Sequence, residues 1–282
     1  MNTRPLLAVF LLFAVVGCGA NSSPTAPSPP TPDPLAGFTP SGDPSSANGA
    51  TWTYRQQVDG VSYDLQGILL KPQGSGPFPA VIISHGAGGN AGGYGRAIAR
   101  VMVQWGLVCI ATNYTHAGNV PIGSPGTSND GGASVANVQR ARRLVGILGG
   151  LGYVDLSRVA LHGHSMGAFV TAATAGAHPD LFRAASHTAG GIRPDFVSAP
   201  APTEAQVASI RAPYQMHHGD RDFVVLLLAD QLLDAVLTAR AVDHELVLYP
   251  GADHDDVSLS LTMLDRVRAW YGAKGMAVGV RP

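Results

Sequence analysis

The sequence predicts an α/β fold, in which a central and mostly parallel sheet carries helices on both faces. Short apolar runs that are typical of buried strands alternate with longer segments of helical spacing along most of the chain. The first two strand-like segments follow each other through a short turn, which indicates an antiparallel entry to the sheet. Ser165 lies between glycines, at the point where an apolar run gives way to a helix of small residues.

The predicted strands and helices follow one another in a regular order. Residues 51–58 and 62–71 form a hairpin through Asp59 and Gly60, a pair that favours tight turns. The later strands are continuous apolar runs, as expected of strands that are covered on both faces. They span residues 79–84, 107–112, 158–162, 182–186, 214–217 and 245–249. Helices are predicted over residues 94–104, 133–148, 168–175, 226–240 and 257–271. Sites in such sheets lie at the carboxyl ends of the strands.

The N-terminal end of the chain is predicted to be a targeting segment rather than part of the fold. Arg4 precedes an apolar run over residues 6–16, which is too short to span a bilayer. This pattern is typical of a signal peptide, which we place at residues 1–17. The folded domain is expected at residues 50–282.

A cysteine follows the apolar run. Residues 15–18, Val-Val-Gly-Cys, resemble a bacterial lipobox, which implies that Cys18 is lipidated and becomes the first residue of the mature protein. Residues 18–49 are rich in Pro, Ser, Thr and Ala, which predicts an extended tether. We therefore expect a lipid-anchored protein of the bacterial cell envelope, with a plain secreted protein as the alternative. Gly19 is not the aspartate that retains lipoproteins at an inner membrane, so an outer-membrane or surface location is expected in a Gram-negative cell.

Composition and charge limit the partners that the domain can have. Charged residues make up 13% of the chain, the formal net charge is −1 and no basic run occurs, so a nucleic-acid partner is not expected. Contact with a membrane is expected only through the lipid anchor, and the domain is expected to be a monomer. The chain has two cysteines. Because Cys18 is expected to carry lipid, Cys109 has no disulfide partner and is predicted to be a buried, inert thiol in an apolar run.

Ser165 is the candidate nucleophile. It lies in the segment Gly-His-Ser-Met-Gly, at residues 163–167, where a sharp turn from strand to helix would expose its hydroxyl above the sheet. A serine hydroxyl becomes a good nucleophile when a histidine accepts its proton and an acid orients that histidine. Asp222 and His254 each follow a predicted strand, in the order that such a site requires. Asp220 is the alternative acid, and a loop residue that caps the next helix is the alternative role for His254.

Two segments resemble motifs of the α/β-hydrolases of the dienelactone hydrolase and prolyl-oligopeptidase type. Residues 217–225, His-His-Gly-Asp-Arg-Asp-Phe-Val-Val, resemble H-G-x-x-D-x-x-V, whose second acidic position is the catalytic acid. This resemblance assigns the acid to Asp222 and leaves Asp220 to pin the turn. Residues 249–254, Tyr-Pro-Gly-Ala-Asp-His, are similar to a Y-P-G-x-x-H segment that ends in the catalytic histidine, which assigns the base to His254.

A third segment resembles the H-G-x-x-G oxyanion motif of the same enzymes. It spans residues 85–90 and reads His-Gly-Ala-Gly-Gly-Asn. An oxyanion hole needs backbone N–H groups that point at the developing negative charge. One is expected from Met166, the residue after the candidate nucleophile, and the resemblance implies Ala87 as the second donor. His85 is then expected to position the loop rather than to transfer a proton.

Over residues 51–271 the chain is most similar to dienelactone hydrolase-like serine esterases, with a lesser resemblance to cutinase-like polyester hydrolases. This implies an α/β-hydrolase catalytic domain over residues 50–282 without a large lid domain. It also implies a serine carboxylic-ester hydrolase that needs no cofactor and acts on a small-molecule or polymeric ester. Dienelactone hydrolases proper carry a cysteine where this chain has Ser165, and prolyl oligopeptidases carry a propeller where it has the tether. The alternatives are a serine peptidase or amidase of the prolyl-oligopeptidase type and a non-catalytic envelope binding protein on the same scaffold.

Five residues are expected to line the substrate pocket. His85 and Gly86 belong to the segment that resembles the oxyanion motif, and His164 directly precedes the candidate nucleophile. His187 and Thr188 end the strand that follows the helix of small residues, where we expect the histidine to be exposed to substrate.

The remaining histidines and loops give weaker signals. The chain has ten histidines, but no helical H-E-x-x-H motif or Cys/His ligand set, so no metal site is expected. The loop over residues 113–132 is rich in Gly, Ser, Asn and Thr, and is either a functional loop or a surface excursion. Residues 190–210 are too few for a full lid, so the cleft is expected to be open.

Overall fold

A sheet of nine strands forms the centre of the described part of the chain. The structure, a computed structural model, describes residues 33–118, 131–193 and 200–276, so the predicted signal peptide and Cys18 lie outside it. The strands are β1 (Phe38–Ser41), β2 (Ala50–Val58), β3 (Val61–Leu70), β4 (Phe78–Ser84), β5 (Val108–Thr112), β6 (Val154–His164), β7 (Ala184–Thr188), β8 (Tyr214–Gly219) and β9 (His244–Tyr249). They lie in the order β1-β2-β3-β5-β4-β6-β7-β8-β9.

The sheet is antiparallel at one edge and parallel over the rest. β1, β2, β3 and β5 pair in antiparallel register, whereas β4 pairs in parallel with both β5 and β6. β6, β7, β8 and β9 continue the parallel part. The carboxyl ends of β4, β6, β8 and β9 therefore meet at one edge of the sheet, which is where the loops that carry a site are expected.

Helices cover both faces of this sheet. They are α1 (Arg96–Met102), α2 (Val135–Gly150), α3 (Met166–Ala177), α4 (Glu204–Val207), α5 (Leu228–Ala239) and α6 (Leu261–Ala273). A one-turn π-helix (Ala91–Gly95) precedes α1, and a short 3₁₀ turn (Val103–Trp105) follows it. Within the described ranges, no helix combines the length and apolar character that crossing a membrane requires. The prediction of a mostly parallel sheet with helices on both faces is confirmed.

Two apolar cores form, one on each face of the sheet. Along β4, Ile82 belongs to one core and Val81 to the other, because successive side chains of a strand point to opposite faces. The core around Ile82 includes Leu144 of α2 and Leu233 of α5. The core around Val81 includes residues of α1 and Val267 of α6. The central strands are thus enclosed between two layers of helices, which makes the carboxyl edge of the sheet a rigid platform.

The fold begins earlier in the chain than the predicted start at residue 50. β1 pairs with β2 in antiparallel register, with Pro40 opposite Trp52. The ring centroid of Phe38 lies 5.6 Å from that of Trp52, so the strand is also held by its side chains. Because residues 18–49 are rich in proline, they were predicted to form a tether, and this strand was not expected. A proline is compatible with an edge strand, because its missing N–H faces away from the sheet.

α6 begins later than the predicted residue 257. The Asp253 side chain accepts hydrogen bonds from the backbone N–H groups of Asp255 and Asp256, each at 3.1 Å. Such bonds stabilise a turn in place of the first helical residues. The chain therefore stays in turns between the end of β9 and the start of α6.

Candidate active site

Ser165 lies between the end of β6 and the start of α3, in a backbone conformation that is unusual for serine. Its φ is 56° and its ψ is −122°, in a region that a residue with a Cβ rarely adopts. Gly163 and Gly167 make this turn possible, because a Cβ on Gly163 would clash with the Gly167 carbonyl and one on Gly167 with the carbonyl of Ser84. The Ser165 N–H donates to the Thr188 carbonyl at 3.0 Å, which ties the turn to β7. The hydroxyl is thereby held at the carboxyl edge of the sheet.

The structure brings Ser165, His254 and Asp222 together in one chain of hydrogen bonds. The distance from Ser165 Oγ to His254 Nε2 is 3.0 Å, and that from His254 Nδ1 to Asp222 Oδ2 is 2.7 Å. Asp222 is buried, and its Oδ1 accepts the backbone N–H groups of Val224 and Val225 at 2.8 Å each. Because a carboxylate only accepts, the imidazole proton lies on Nδ1 and Nε2 is left to accept the serine hydroxyl.

Asp220, the alternative acid, has a different position. Its Oδ1 accepts the N–H of Gly251 at 2.7 Å. This bond joins the loop after β8 to the loop after β9, which carries His254. Asp220 thus pins the turn, and it is Asp222 that contacts the imidazole.

The segment at residues 85–90 forms one wall of the site. Gly86 and Ala87 line a cleft with Ser165, and Met166 is the first residue of α3, where a helix leaves its N–H without an intrahelical partner. His85 lies behind this wall: its Nδ1–H donates to the Gly86 carbonyl at 2.8 Å and its Nε2 accepts the Tyr114 N–H at 3.1 Å. Burial, helped by the charge of the His116 ring, lowers the pKa of His85 to about 3. His85 is therefore a neutral residue that shapes the loop.

As formed by the described residues, the cleft above Ser165 is open to solvent and has a volume of about 380 Å³. Its lining residues are Gly86, Ala87, Gly89, Tyr94, His164, Ser165, Val224, His254, Asp255 and Ser258. His164 Nδ1 forms a hydrogen bond of 2.9 Å with the Thr188 hydroxyl. Burial, together with the charge of His254, lowers the pKa of His164 to about 4. A larger groove of about 480 Å³, beside β1 to β3 and lined by residues such as Thr39 and Gln66, does not include Ser165.

Three of the residues expected to line the pocket do not do so. His187 has no exposed surface, because Tyr214 and Asp230 enclose its ring at hydrogen-bond distances of 2.9 and 2.7 Å. The prediction that His187 is exposed to substrate is wrong. Thr188 is also fully buried, and supports the site through its bonds to the neighbouring turn instead of lining the cleft. His85 is buried behind the loop that it positions.

Several residues of the site were not predicted from the sequence. The two loops that carry Asp222 and His254 also supply Val224, Asp255 and Ser258. The signal available in the sequence was that these residues lie close to Asp222 or His254 in the chain. Tyr94 has no such signal, because it comes from the π-helical turn before α1.

His116 was missed as well. Its Nε2–H donates to the His85 carbonyl at 3.0 Å, which adds a second anchor for the loop. It belongs to the long loop predicted over residues 113–132, of which residues 119–130 lie outside the described part.

One group in the described ranges has ligand atoms close enough to hold a metal ion. It consists of His164, His254 and Asp255, whose ligand atoms lie within 4.8 Å of one another. Both nitrogens of His254 already bond within the chain, so we assign no metal to this group. Cys109 is buried and outside the site, and burial raises the pKa of its thiol.

A comparison with protein families identifies one family for this chain. The sequence profile of the Dienelactone hydrolase family matches residues 65–255. No curated protein matches the chain. The chain is similar to a structure assigned as a dienelactone hydrolase from Klebsiella pneumoniae, with a TM-score of 0.65 and 20% identity over 79% of this chain and 98% of that chain.

Two further solved structures are similar. One is a thermophilic esterase from Thermogutta terrifontis, with a TM-score of 0.62 and 17% identity over 82% of this chain and 96% of that chain. The other is an S-formylglutathione hydrolase from Agrobacterium tumefaciens, with a TM-score of 0.61 and 18% identity over 84% and 98%. The chain belongs to the dienelactone hydrolase family, has the α/β-hydrolase fold and is a hydrolase of the carboxylesterase type.

Acid is expected to destabilise the protein through its buried histidines, and His85 and His162 are two of them. Burial, followed by the charges of neighbouring imidazoles, lowers the pKa of both His85 and His162 from 6.5 to about 3. A histidine shifted in this way contributes its full stability above pH 6.5, and loses it as the pH falls toward 3. Each then reduces the free energy of unfolding by about 1.4 kcal/mol per pH unit in that range. Urea unfolding at several pH values, followed by tryptophan fluorescence, measures this slope.

The variant His162→Gln supplies the comparison. It removes one of the titrating rings, so we expect a slope that is shallower by about 1.4 kcal/mol per pH unit. A free energy of unfolding that stays constant in the wild type between about pH 6.5 and about pH 5 would contradict the prediction.

Proposed function

We propose that this member of the dienelactone hydrolase family is a serine carboxylic-ester hydrolase of the bacterial envelope, with Ser165 as nucleophile, His254 as base and Asp222 as the acid that orients the base. The observation that carries the proposal is the unbroken hydrogen-bond chain from Ser165 Oγ through His254 to Asp222, which ends in an open cleft. A hydroxyl, an imidazole and a carboxylate in this order are what acyl transfer through serine needs.

The first half of the reaction forms an acyl-enzyme. As Ser165 Oγ attacks the ester carbonyl carbon, His254 Nε2 takes the hydroxyl proton, and the Asp222 carboxylate stabilises the imidazolium that results. The carbonyl oxygen becomes negative and is held by backbone N–H groups, for which we propose Ala87 and Met166. The imidazolium then gives its proton to the alkoxide that leaves as an alcohol. In the second half, water attacks the acyl group by the same route and restores the serine.

The cleft favours an uncharged acyl group. Its walls near Ser165 consist of the loop at Gly86 and Ala87, the side chains of Tyr94 and Val224, and the neutral ring of His164. Asp255 is the carboxylate at its rim, with a side chain that is 90% exposed. With an open cleft of about 380 Å³, both a small ester and one segment of a polymeric ester can reach the serine.

A panel of substrates separates this proposal from its alternatives. p-Nitrophenyl esters of increasing acyl length, a feruloyl ester and a polyester film report ester hydrolysis, and aminoacyl p-nitroanilides report peptidase or amidase activity. We expect turnover of the esters and little of the anilides. Turnover of anilides alone would favour a peptidase, and no turnover of either class would favour a binding protein.

The location in the envelope is a proposal that rests on the N-terminal sequence. A charged residue, a short apolar run, a lipobox ending at Cys18 and a proline-rich segment follow one another before the domain. We propose that Cys18 is lipidated and that the domain works outside the cytoplasm, tethered to a membrane. A secreted, unlipidated protein is the alternative.

Ser165→Ala is expected to abolish ester hydrolysis while leaving the fold intact. The loss should reach about 10⁴-fold or more in kcat, because the remaining residues offer no nucleophile at the turn. Stopped assays with a p-nitrophenyl ester measure the loss, and circular dichroism checks the fold. A fluorophosphonate probe should label the wild type and not the variant. Retention of more than about a tenth of the turnover would refute the assignment.

Asp222→Asn is expected to reduce kcat/KM far more than Asp220→Asn. An amide that faces His254 Nδ1 stabilises the wrong tautomer, which should lower kcat by about 10⁴-fold. In the matched variant, Asp220→Asn, the oxygen of the new side-chain amide can still accept the Gly251 N–H, so this variant should lose little. The measurement is kcat/KM of the two purified variants on one ester. A larger loss in Asp220→Asn than in Asp222→Asn would identify Asp220 as the acid.

Cys18→Ala is expected to release the protein from membranes without changing its turnover. Cys18 precedes the folded domain, which begins with β1, so the active site should not respond to the loss of lipid. Fractionation of cells that express the wild type and the variant, with metabolic labelling by a palmitate analogue, measures the change. Stable anchoring requires more than one acyl chain. Unlabelled wild-type protein in the soluble fraction would show instead that the leader is a plain secretion signal.

A further inference from the structure

A chain of buried polar residues lies behind Asp222 and does not reach the cleft. His218 Nδ1 is 2.7 Å from Asp230 Oδ2, and His187 Nε2 is 2.7 Å from Asp230 Oδ1. His187 Nδ1 is in turn 2.9 Å from the hydroxyl of Tyr214. All four side chains are fully buried, on β7, β8 and α5. Enclosing ionisable groups is unfavourable unless they are paired, so their arrangement requires an explanation.

The hydrogen-bond partners of His218 determine its protonation state. Its Nδ1 faces the carboxylate of Asp230, and its Nε2 faces the backbone carbonyl of Val225 at 2.8 Å. Both partners can only accept hydrogen bonds, so both ring nitrogens must carry a proton. His218 is therefore an imidazolium in the interior of the protein, and Asp230 is its counter-ion.

The rest of the chain is consistent with this charge. His187 needs one proton, because its Nε2–H donates to Asp230 and its Nδ1 can accept the Tyr214 hydroxyl. Burial works against the charge on His218, but its hydrogen bond and ion pair with Asp230 outweigh burial and raise its pKa above the ordinary value. Burial would likewise raise the pKa of Asp230, but the two imidazoles that it accepts from hold it below its usual range.

The buried ion pair is in direct contact with the proposed catalytic acid. Asp222 Oδ2 lies 2.7 Å from His254 Nδ1 and 3.4 Å from His218 Nε2. The carboxylate thus stands between two imidazoles, one at the cleft and one behind it. We propose that Asp230 holds His218 as a buried imidazolium, and that this cation fixes the Asp222 carboxylate against His254. On the proposed function, which this inference presupposes, His218 and Asp230 are positioning residues.

The sign of the effect on catalysis follows from the charges. A cation behind Asp222 opposes a proton on His254, since it offsets part of the attraction of the carboxylate for the imidazolium. Without that cation, His254 would hold its proton to higher pH and the acid limb of the kcat/KM profile would move upward. His218 would also present a lone pair to an acceptor, which would displace Asp222 or Val225.

The titratable groups around the buried ion pair come from several elements, and His217 of β8 is a further imidazole that interacts with the charge of Asp230. His218 faces Asp230 from α5, and Asp222 and the Val225 carbonyl from the loop after β8. His187, from β7, contacts it through Asp230.

His254 itself faces a second set of groups. His164, at the end of β6, has its ring centroid 4.9 Å away, and Asp255 is the next residue in the chain. Substitution of Asp230 leaves this second set unchanged, so a displaced acid limb reports the buried ion pair.

The charge on His218 can be measured in the wild-type protein without any assay of activity. Proton–nitrogen correlation spectra of the imidazole rings distinguish a ring with two N–H groups from either neutral tautomer, and His218→Gln assigns the signal. We expect two protonated nitrogens at about pH 8, where an ordinary histidine is neutral. A neutral His218 ring at that pH would overturn the inference.

The positioning role is tested with Asp230→Asn and a matched control, Tyr214→Phe. The control removes a hydrogen bond from the same buried chain without a change in charge. For Asp230→Asn we expect kcat to fall about 10- to 100-fold, less than for removal of the catalytic acid itself, and the acid limb of kcat/KM to rise by about half a pH unit or more. Tyr214→Phe should lower the thermal midpoint and leave the acid limb in place.

The outcomes separate this inference from the proposed function. If the wild type hydrolyses esters and a folded Asp230→Asn keeps the wild-type acid limb, the positioning role is refuted and the function stands. If both variants displace the limb equally, the effect is structural and the inference again fails. If the wild type hydrolyses no ester, the proposed function fails. The proton–nitrogen spectrum of the wild type then still determines the charge of His218. The same spectrum determines that charge if Asp230→Asn does not fold.

Discussion

The whole site depends on holding Ser165 in a backbone conformation that its side chain disfavours. A strained residue of this kind persists only where its surroundings determine its position several times over. Here Gly163 and Gly167 allow β6, α3 and β4 to approach more closely than any side chain would permit, and a bond from Ser165 to the Thr188 carbonyl adds β7. The two cores that enclose these strands make the contact rigid. The nucleophile is thus placed by backbone packing, and the other groups must be brought to it.

The parallel register supplies those groups from the same edge of the sheet. β8 and β9 end side by side, with Gly219 opposite Tyr249, and Asp222 and His254 follow these ends within a few residues. The bond from the Gly251 N–H to Asp220 joins the two loops, so acid and base are fixed to each other as well as to the sheet. Positioning of this kind supplies much of the advantage of an active site, because the reacting groups need not be ordered during the reaction.

The sequence predicted the parts of the site that depend on local backbone turns. The sequence shows a serine after one strand, with a glycine two residues away on each side, and an acid and a histidine after two later strands. Because the carboxyl ends of parallel strands lie at one edge of a sheet, this order alone predicts that the three side chains lie near one another. What covers a side chain depends on tertiary packing, which no local pattern reveals. His187 points into the fold because Asp230 of α5 lies against it, far along the chain. β1 was not predicted for a similar reason, since this strand is held by a contact between Phe38 and Trp52 that no local pattern shows.

The hydrogen-bond partners of each imidazole ring determine its role, so histidines of the same chain differ in function. His218 has two partners that only accept, so it must be charged. His85 donates to a carbonyl and accepts a backbone N–H, so no site is left for a second proton. His254 donates to a carboxylate and accepts from the hydroxyl of Ser165, which can give its proton away. Of these three rings, His254 is the one that can gain a proton while keeping both of its partners, and this is the property that a general base needs.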